Sequence, residues 1–196
     1  MGTLRMSEKF YKAAKFFADN KSAERFDNSG KGEALSLFKL MFETAEDTIR
    51  IFAHKWCDEI PNSEAFIEAM NNFARQKNGI VKVLLKEYAP ELHDKAVFTA
   101  LKKLHEQGFN VEIKHTSARV YYGNKKDKPE EPNEINFATI DKTGYRIEYD
   151  AKNLQARWSF KDDKTVVKLN KVFDNYFKAG TIINIDETVN IDETVT

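Results

Sequence analysis

Between residues 33 and 115 the hydrophobic period switches back and forth between helix and strand, and this constrains the fold more than any other feature. Leu35, Phe38, Phe42 and Ala45 recur at helical spacing and predict a helix over 33–46. Leu37, Leu40 and Met41 widen its apolar face, as expected of a helix buried between layers. Thr48-Ile49-Arg50-Ile51-Phe52-Ala53 is then a short β-branched run and predicts a strand. Asn62-Ser63 can cap a helix over 63–76 with Phe66, Ile67, Met70 and Phe73 inward. Asn78-Gly79 ends it, and Ile80-Val81-Lys82-Val83-Leu84-Leu85 predicts a second strand. Pro90 opens a helix over 90–107, Gly108 closes it, and residues 109–114 predict a third strand. Strands alternating with helices need right-handed crossovers. The expected fold class is therefore α/β, with a mixed, mainly parallel sheet flanked by helices.

The flanks read differently. Residues 7–18 predict an amphipathic helix with Phe10, Ala13, Ala14 and Phe17 on one face. Residues 27–32 are a loop by composition, and their Gly-Lys-Gly lacks the rest of a phosphate-binding P-loop. Residues 122–134 form a long polar loop with two prolines. Three short strands are expected at 135–141, 144–150 and 154–160, then a helix over 163–178 with Val166, Leu169, Phe173, Tyr176 and Phe177 inward. The hexapeptide Asn184-Ile185-Asp186-Glu187-Thr188-Val189 recurs at 190–195, which suggests a mobile acidic tail. The expected organisation is an N-terminal helix and linker (1–30), one domain (31–179) and the repeat tail (180–196). Cys57 is the single cysteine, which excludes an internal disulfide and fits a reducing cytoplasm. With no secretory signal and no apolar run of membrane-spanning length, a soluble cytoplasmic chain without membrane contact is expected.

Few constellations carry chemistry. His54 and Cys57 have a ligand-like spacing, but nothing completes a zinc site, and no metal or cofactor is expected. His54, Lys55 and Trp56 follow the first central strand, where open α/β sheets collect ligands. An aromatic ring beside two cations there could stack a base and hold a phosphate.

The order of elements over about 33–178 resembles half of a phospholipase D-like (HKD) enzyme. The likeness also rests on Phe137-Ala138-Thr139-Ile140-Asp141, on the strand Tyr145-Arg146-Ile147-Glu148 and on Phe173-Asp174-Asn175-Tyr176-Phe177. Active members carry H-x-K-x-x-x-x-D, whose histidine is the nucleophile and whose lysine binds phosphate. Placing Asp141 on the motif aspartate puts Glu134 where the histidine belongs and Asn136 where the lysine belongs. The resemblance thus implies a degenerate member. It lacks the imidazole that a phospho-enzyme intermediate requires. His93-Asp94-Lys95 is a literal H-x-K, but Ala100 stands at the aspartate position and the segment reads as helix. Single halves of this family build their cleft in pairs, so the resemblance also implies a homodimer or a larger protein complex.

Charge refines the expected partner. The chain has 31 basic and 31 acidic residues among 196, which excludes a uniformly basic surface. The charges are segregated: Arg75, Lys77, Lys82 and Lys86 form one basic segment, and Lys114, Arg119, Lys125, Lys126 and Lys128 another. Acidic residues concentrate at 130–134 and in the tail. The expectation is a non-catalytic binding or regulatory module, an accessory subunit contacting protein or nucleic acid, as in a bacterial defence complex. His54, Lys55, Trp56, Lys125, Lys126, Lys128 and Asn136 are its candidate contacts. The alternative is a divergent phosphodiesterase or nuclease using His54, His93, Glu134 and Asp141.

Overall fold

The computed structural model describes residues 4–122 and 133–185. Its elements in chain order are α1 (Glu8–Asp19), β1 (Phe26–Asn28), α2 (Lys31–Thr44), β2 (Thr48–Ala53), α3 (Glu64–Ala74) and β3 (Ile80–Leu85). There follow α4 (Ala96–Glu106), β4 (Asn110–His115), β5 (Tyr121–Tyr122), β6 (Asn133–Glu134) and β7 (Asn136–Ile140). The chain continues with β8 (Gly144–Asp150), β9 (Gln155–Ser159), α5 (Asp163–Ala179) and β10 (Thr181–Ile182).

Eight strands form one open sheet in the order β1-β9-β8-β7-β2-β3-β4-β10, and β5 pairs with β6 as a separate ribbon. The expected mixed α/β sheet flanked by helices is what the chain adopts. The parallel share is smaller than expected. Only β2–β3 and β3–β4 are parallel, and the other five pairings are antiparallel. The parallel crossovers end at β4, and β7, β8 and β9 connect as hairpins, which can only run antiparallel.

Alternation along the strands sorts the core into two layers. Ile49, Ile51, Val81, Val83, Leu85, Val111 and Ile113 join the larger core together with residues of α1 to α4. Phe52, Leu84, Phe137, Tyr145 and Ile147 join the smaller core with Val166, Leu169, Phe173 and Phe177 of α5. Phe66 anchors the larger core, with the rings of Phe38, Phe42 and Trp56 all within 5.6 Å of it, centroid to centroid.

Side-chain caps set two helix starts. Ser63 Oγ accepts the Phe66 amide at 3.4 Å, and Asp162 Oδ1 accepts the Thr165 amide at 3.1 Å. Gly108 adopts φ +81° after α4, as the sequence suggests. Gly79 has no room for a side chain, because a Cβ would meet the Phe73 carbonyl oxygen at 2.2 Å.

Three local expectations are corrected. The helix predicted over 90–107 is two pieces: a 3₁₀ turn over Pro90–Asp94, then α4. Lys95 between them is extended (φ −87°, ψ 142°), which lets both Leu92 and Val97 reach the core. Phe26–Asn28 lies partly in the predicted loop, yet it pairs with β9 and buries Asn28. Thr181–Ile182 pairs with β4, and Ile183 and Ile185 are buried. The repeat beyond Ile185 lies outside the described residues. Among the described residues no helix is long and apolar enough to cross a membrane.

Candidate functional site

Because β2, β3 and β4 are parallel, their carboxyl ends meet at one edge of the sheet. Each hands over charged residues there: His54 and Lys55 after β2, Lys86 and Glu87 after β3, and Arg119 a few residues after β4. Strand β7 runs antiparallel to β2, so its start, with Glu134 just ahead of it, arrives at the same edge. Backbone bonds hold the junction: the Lys86 amide donates to the Ala53 carbonyl at 2.8 Å, and the Ile135 amide to that of Val120 at 2.8 Å.

The side chains form an alternating chain of charge. Lys86 Nζ lies 2.7 Å from Glu134 Oε1, with the lysine side chain only 4% exposed and the glutamate 35%. Lys86 Nζ also donates to the Ile135 carbonyl at 3.2 Å and lies 5.7 Å from the centre of the Phe52 ring. Arg119 Nε lies 3.4 Å from Glu134 Oε1, and its Nη2 lies 3.8 Å from Glu87 Oε1. Arg119 Nη1 donates to the carbonyls of Lys86, Ser117 and Ala118 at 3.0–3.3 Å. Glu87 in turn meets His54 Nε2 at 3.3 Å and Lys55 Nζ at 3.4 Å. Every cation of the cluster thus faces a carboxylate. An incoming phosphate has to displace a carboxylate to bind here, which opposes the desolvation and pairing it would gain.

Asn136 belongs to a second, deeper arrangement. Its Nδ2 donates to Glu148 Oε1 at 2.7 Å, and Glu148 Oε2 meets Arg146 Nη2 at 3.1 Å. Arg146 and Glu148 are buried, and Arg146 lies 5.4 Å from the Phe38 ring centre. Burial pushes the Arg146 guanidinium below its ordinary range, and Glu148 opposes that shift. Asp141 has a third role. Its Oδ1 accepts the amides of Asp47 and Thr48 at 2.9 and 2.8 Å, and its Oδ2 accepts that of Glu46 at 2.9 Å. It does so from φ +50°, at the far end of β7 and roughly 20 Å from Glu134 at 3.3 Å per residue.

The other sequence candidates divide as follows. His54 and Lys55 stand at the cluster. Trp56 does not: it is 4% exposed and packs edge-on against Phe66, so no base can stack on it. Trp56, three residues past the end of β2, has a left-handed φ of +61°, and its ring lies in the core. Lys125, Lys126 and Lys128 lie outside the described residues. His93 sits in the 3₁₀ turn, where its Nε2 is 2.7 Å from the Tyr88 hydroxyl and its ring 4.4 Å from that of Phe98. The four residues of the phosphodiesterase alternative therefore do not converge. Burial raises the Cys57 thiol pKa, and among the described residues no group of three or more His, Cys, Asp or Glu is placed to hold a metal ion. Sequence reasoning missed Glu87 and the pairing roles of Lys86 and Arg119. Their signal was positional, since each follows a parallel strand.

No protein-family model matches the chain, and no curated protein matches it in sequence. Solved structures do match in fold. NucT from Helicobacter pylori is 10% identical, with a TM-score of 0.51, covering 82% of this chain and 100% of that one. Phosphatidylserine synthase from Haemophilus influenzae is 8% identical, with a TM-score of 0.52, covering 82% and 39%. TrmBL2, an archaeal chromatin protein whose structure shows a novel mode of DNA binding, is 12% identical, with a TM-score of 0.54, covering 88% of this chain. This chain spans 60% of TrmBL2's length. The chain shares the fold of these solved structures.

Proposed function

We propose that this chain is a non-catalytic phospholipase D-like module, an accessory subunit that contacts nucleic acid. The observation that carries this is Glu134. It stands where the family resemblance places the nucleophilic histidine, and Lys86 and Arg119 hold it at 2.7 and 3.4 Å. Asn136, at the lysine position, is committed to Glu148. A lost nucleophile points to a binding role by analogy at the level of the fold. The DNA binding described for TrmBL2 supports nucleic acid as the partner class. The expected result is no turnover of DNA, RNA or phospholipid, with or without divalent metal, together with salt-sensitive binding of DNA or RNA. Capture of a protein partner without nucleic-acid binding would move the reading to a protein-contacting subunit. Charge reversal of Lys125, Lys126 and Lys128 tests whether this basic segment takes part. The homodimer implied by the resemblance is tested by sedimentation equilibrium.

One observation favours the alternative of a divergent phosphodiesterase: His54 Nε2 lies 3.3 Å from Glu87, a pairing that can orient an imidazole for acid–base work. Turnover that disappears in His54→Ala would establish it in place of the binding module.

A further inference from the structure

The long helix α5 has two unlike faces. Val166, Leu169, Phe173 and Phe177 bury its inner side. On the opposite side Lys164, Lys168, Lys171 and Lys178 fall at helical spacing and are exposed. Both acids of the helix are engaged: Asp163 lies 3.3 Å from Lys161, and Asp174 lies 2.9 Å from Arg50. The four lysines meet no carboxylate among the described residues. From Lys164 to Lys178 the row is about 21 Å long at 1.5 Å per residue.

Further cations stand beside the row. Near its middle Lys171 lines a groove of about 690 Å³ together with Lys21, Arg50, Lys142 and Lys161 and the acids Glu46, Asp47, Asp141 and Asp174. At its end Lys82 Nζ and Lys114 Nζ lie 5.4 and 4.6 Å from the centre of the Phe177 ring, on the same side of the sheet. The charged clamp at Glu134 is self-neutralised, whereas this row has spare positive charge along a straight, rigid support. A row of separated cations about as long as six base-pair steps suits the backbone of a nucleic acid, whose phosphates repeat along a line. A lipid surface would also want apolar side chains beside the cations, and on this face of α5 only Val167 is a large exposed hydrophobic.

We propose that the outer face of α5, with Lys164, Lys168, Lys171 and Lys178, is the surface on which this chain seats a nucleic-acid backbone. This rests on the nucleic-acid reading above and moves the contact from the old cleft to the face of the sheet that α5 covers. The test is titration of a short fluorescent DNA duplex and a single-stranded RNA over a range of salt. Lys164, Lys168, Lys171 and Lys178 are changed together to Gln, which preserves helix propensity. A control changes Lys9, Lys12, Lys102 and Lys103, on α1 and α4 on the other side of the sheet, to Gln with the same loss of charge. Circular dichroism confirms that both variants are folded. The expected result is a fall in the slope of log affinity against log salt by about 3 to 4 in the α5 variant, and a loss of affinity of more than roughly tenfold. The control should stay within about twofold of the parent. Equal binding by the α5 variant and the parent overturns the surface and leaves the nucleic-acid reading standing. No binding by the parent overturns both. Binding to phosphatidylserine vesicles that needs these lysines, without nucleic-acid binding, assigns the face to a lipid surface and also overturns the proposal.

Discussion

The two ends of β7 each carry a carboxylate, and the two are used in opposite ways. Glu134, just ahead of the strand, is held by the side chains of Lys86 and Arg119. Asp141, just after it, is held by the backbone amides of residues 46–48. Side-chain cations can be exchanged for another partner, while amides at a strand entrance cannot move without moving β2. A carboxylate on amides is therefore a structural bond, and one on cations is a contact open to competition.

The sharpest way to break this comparison is Asp141→Ala. It leaves three amides without their acceptor and puts a residue with a poor left-handed preference at φ +50°. We expect a loss of about 3 kcal/mol in denaturant unfolding. Asp141→Asn, which keeps one acceptor oxygen and tolerates that φ, should lose about half as much. Equal losses would show that charge rather than amide capture matters there.

Lys86→Met should cost about 2 kcal/mol, because it removes the nearer partner of a carboxylate that is still partly solvated. Adding Glu134→Leu should recover part of that loss, since the two side chains act as one unit. Strict additivity in the double variant would dissolve the clamp.

Asp162 combines both kinds of tie. It accepts the Thr165 amide at the start of α5 and meets Arg25 Nη2 at 2.7 Å. Burial pushes its carboxyl up, but the Thr165 amide and hydroxyl and the Arg25 guanidinium outweigh burial and leave it below the ordinary carboxylate range. The folded value lies below the unfolded one, so its contribution is complete above the unfolded value near pH 4. That contribution is lost as pH falls through the folded value. Asp162→Ala should cost about 1 to 2 kcal/mol at neutral pH and flatten the fall in stability on acidification. A parallel, undiminished acid limb in the variant would count against this. Smallest of all, Lys55→Ala should change stability by less than about 0.5 kcal/mol, since its pair with Glu87 is exposed.

Much of the fold was legible because burial imposes period. Both β2 and β3 begin and end where the β-branched runs do, and α5 ends one residue from its expected limit. What escaped has a physical cause. Strands of two or three residues such as β1 and β10 have too few positions to show alternation, and their partners are far along the chain. The break at Lys95 is a tertiary effect, since Leu92 and Val97 must both reach the core. At the candidate site, His54 and Lys55 were found from their place after a strand. Glu87 was missed because an acid beside lysines reads as neutral composition until the edge of the sheet brings four segments together. Trp56 misled for a related reason: whether a ring after a strand meets solvent or core depends on one backbone angle.

The two shortest edge strands have a wider consequence. Thr181 and Ile182 pair with the last two residues of β4, so without β10 the carboxyl end of that edge would be open to any extended chain nearby. On the opposite side, β1 covers β9 in the same way. A shortened version that stops before Thr181 therefore uncovers more of a template for strand addition, and its first failure in solution would be self-association.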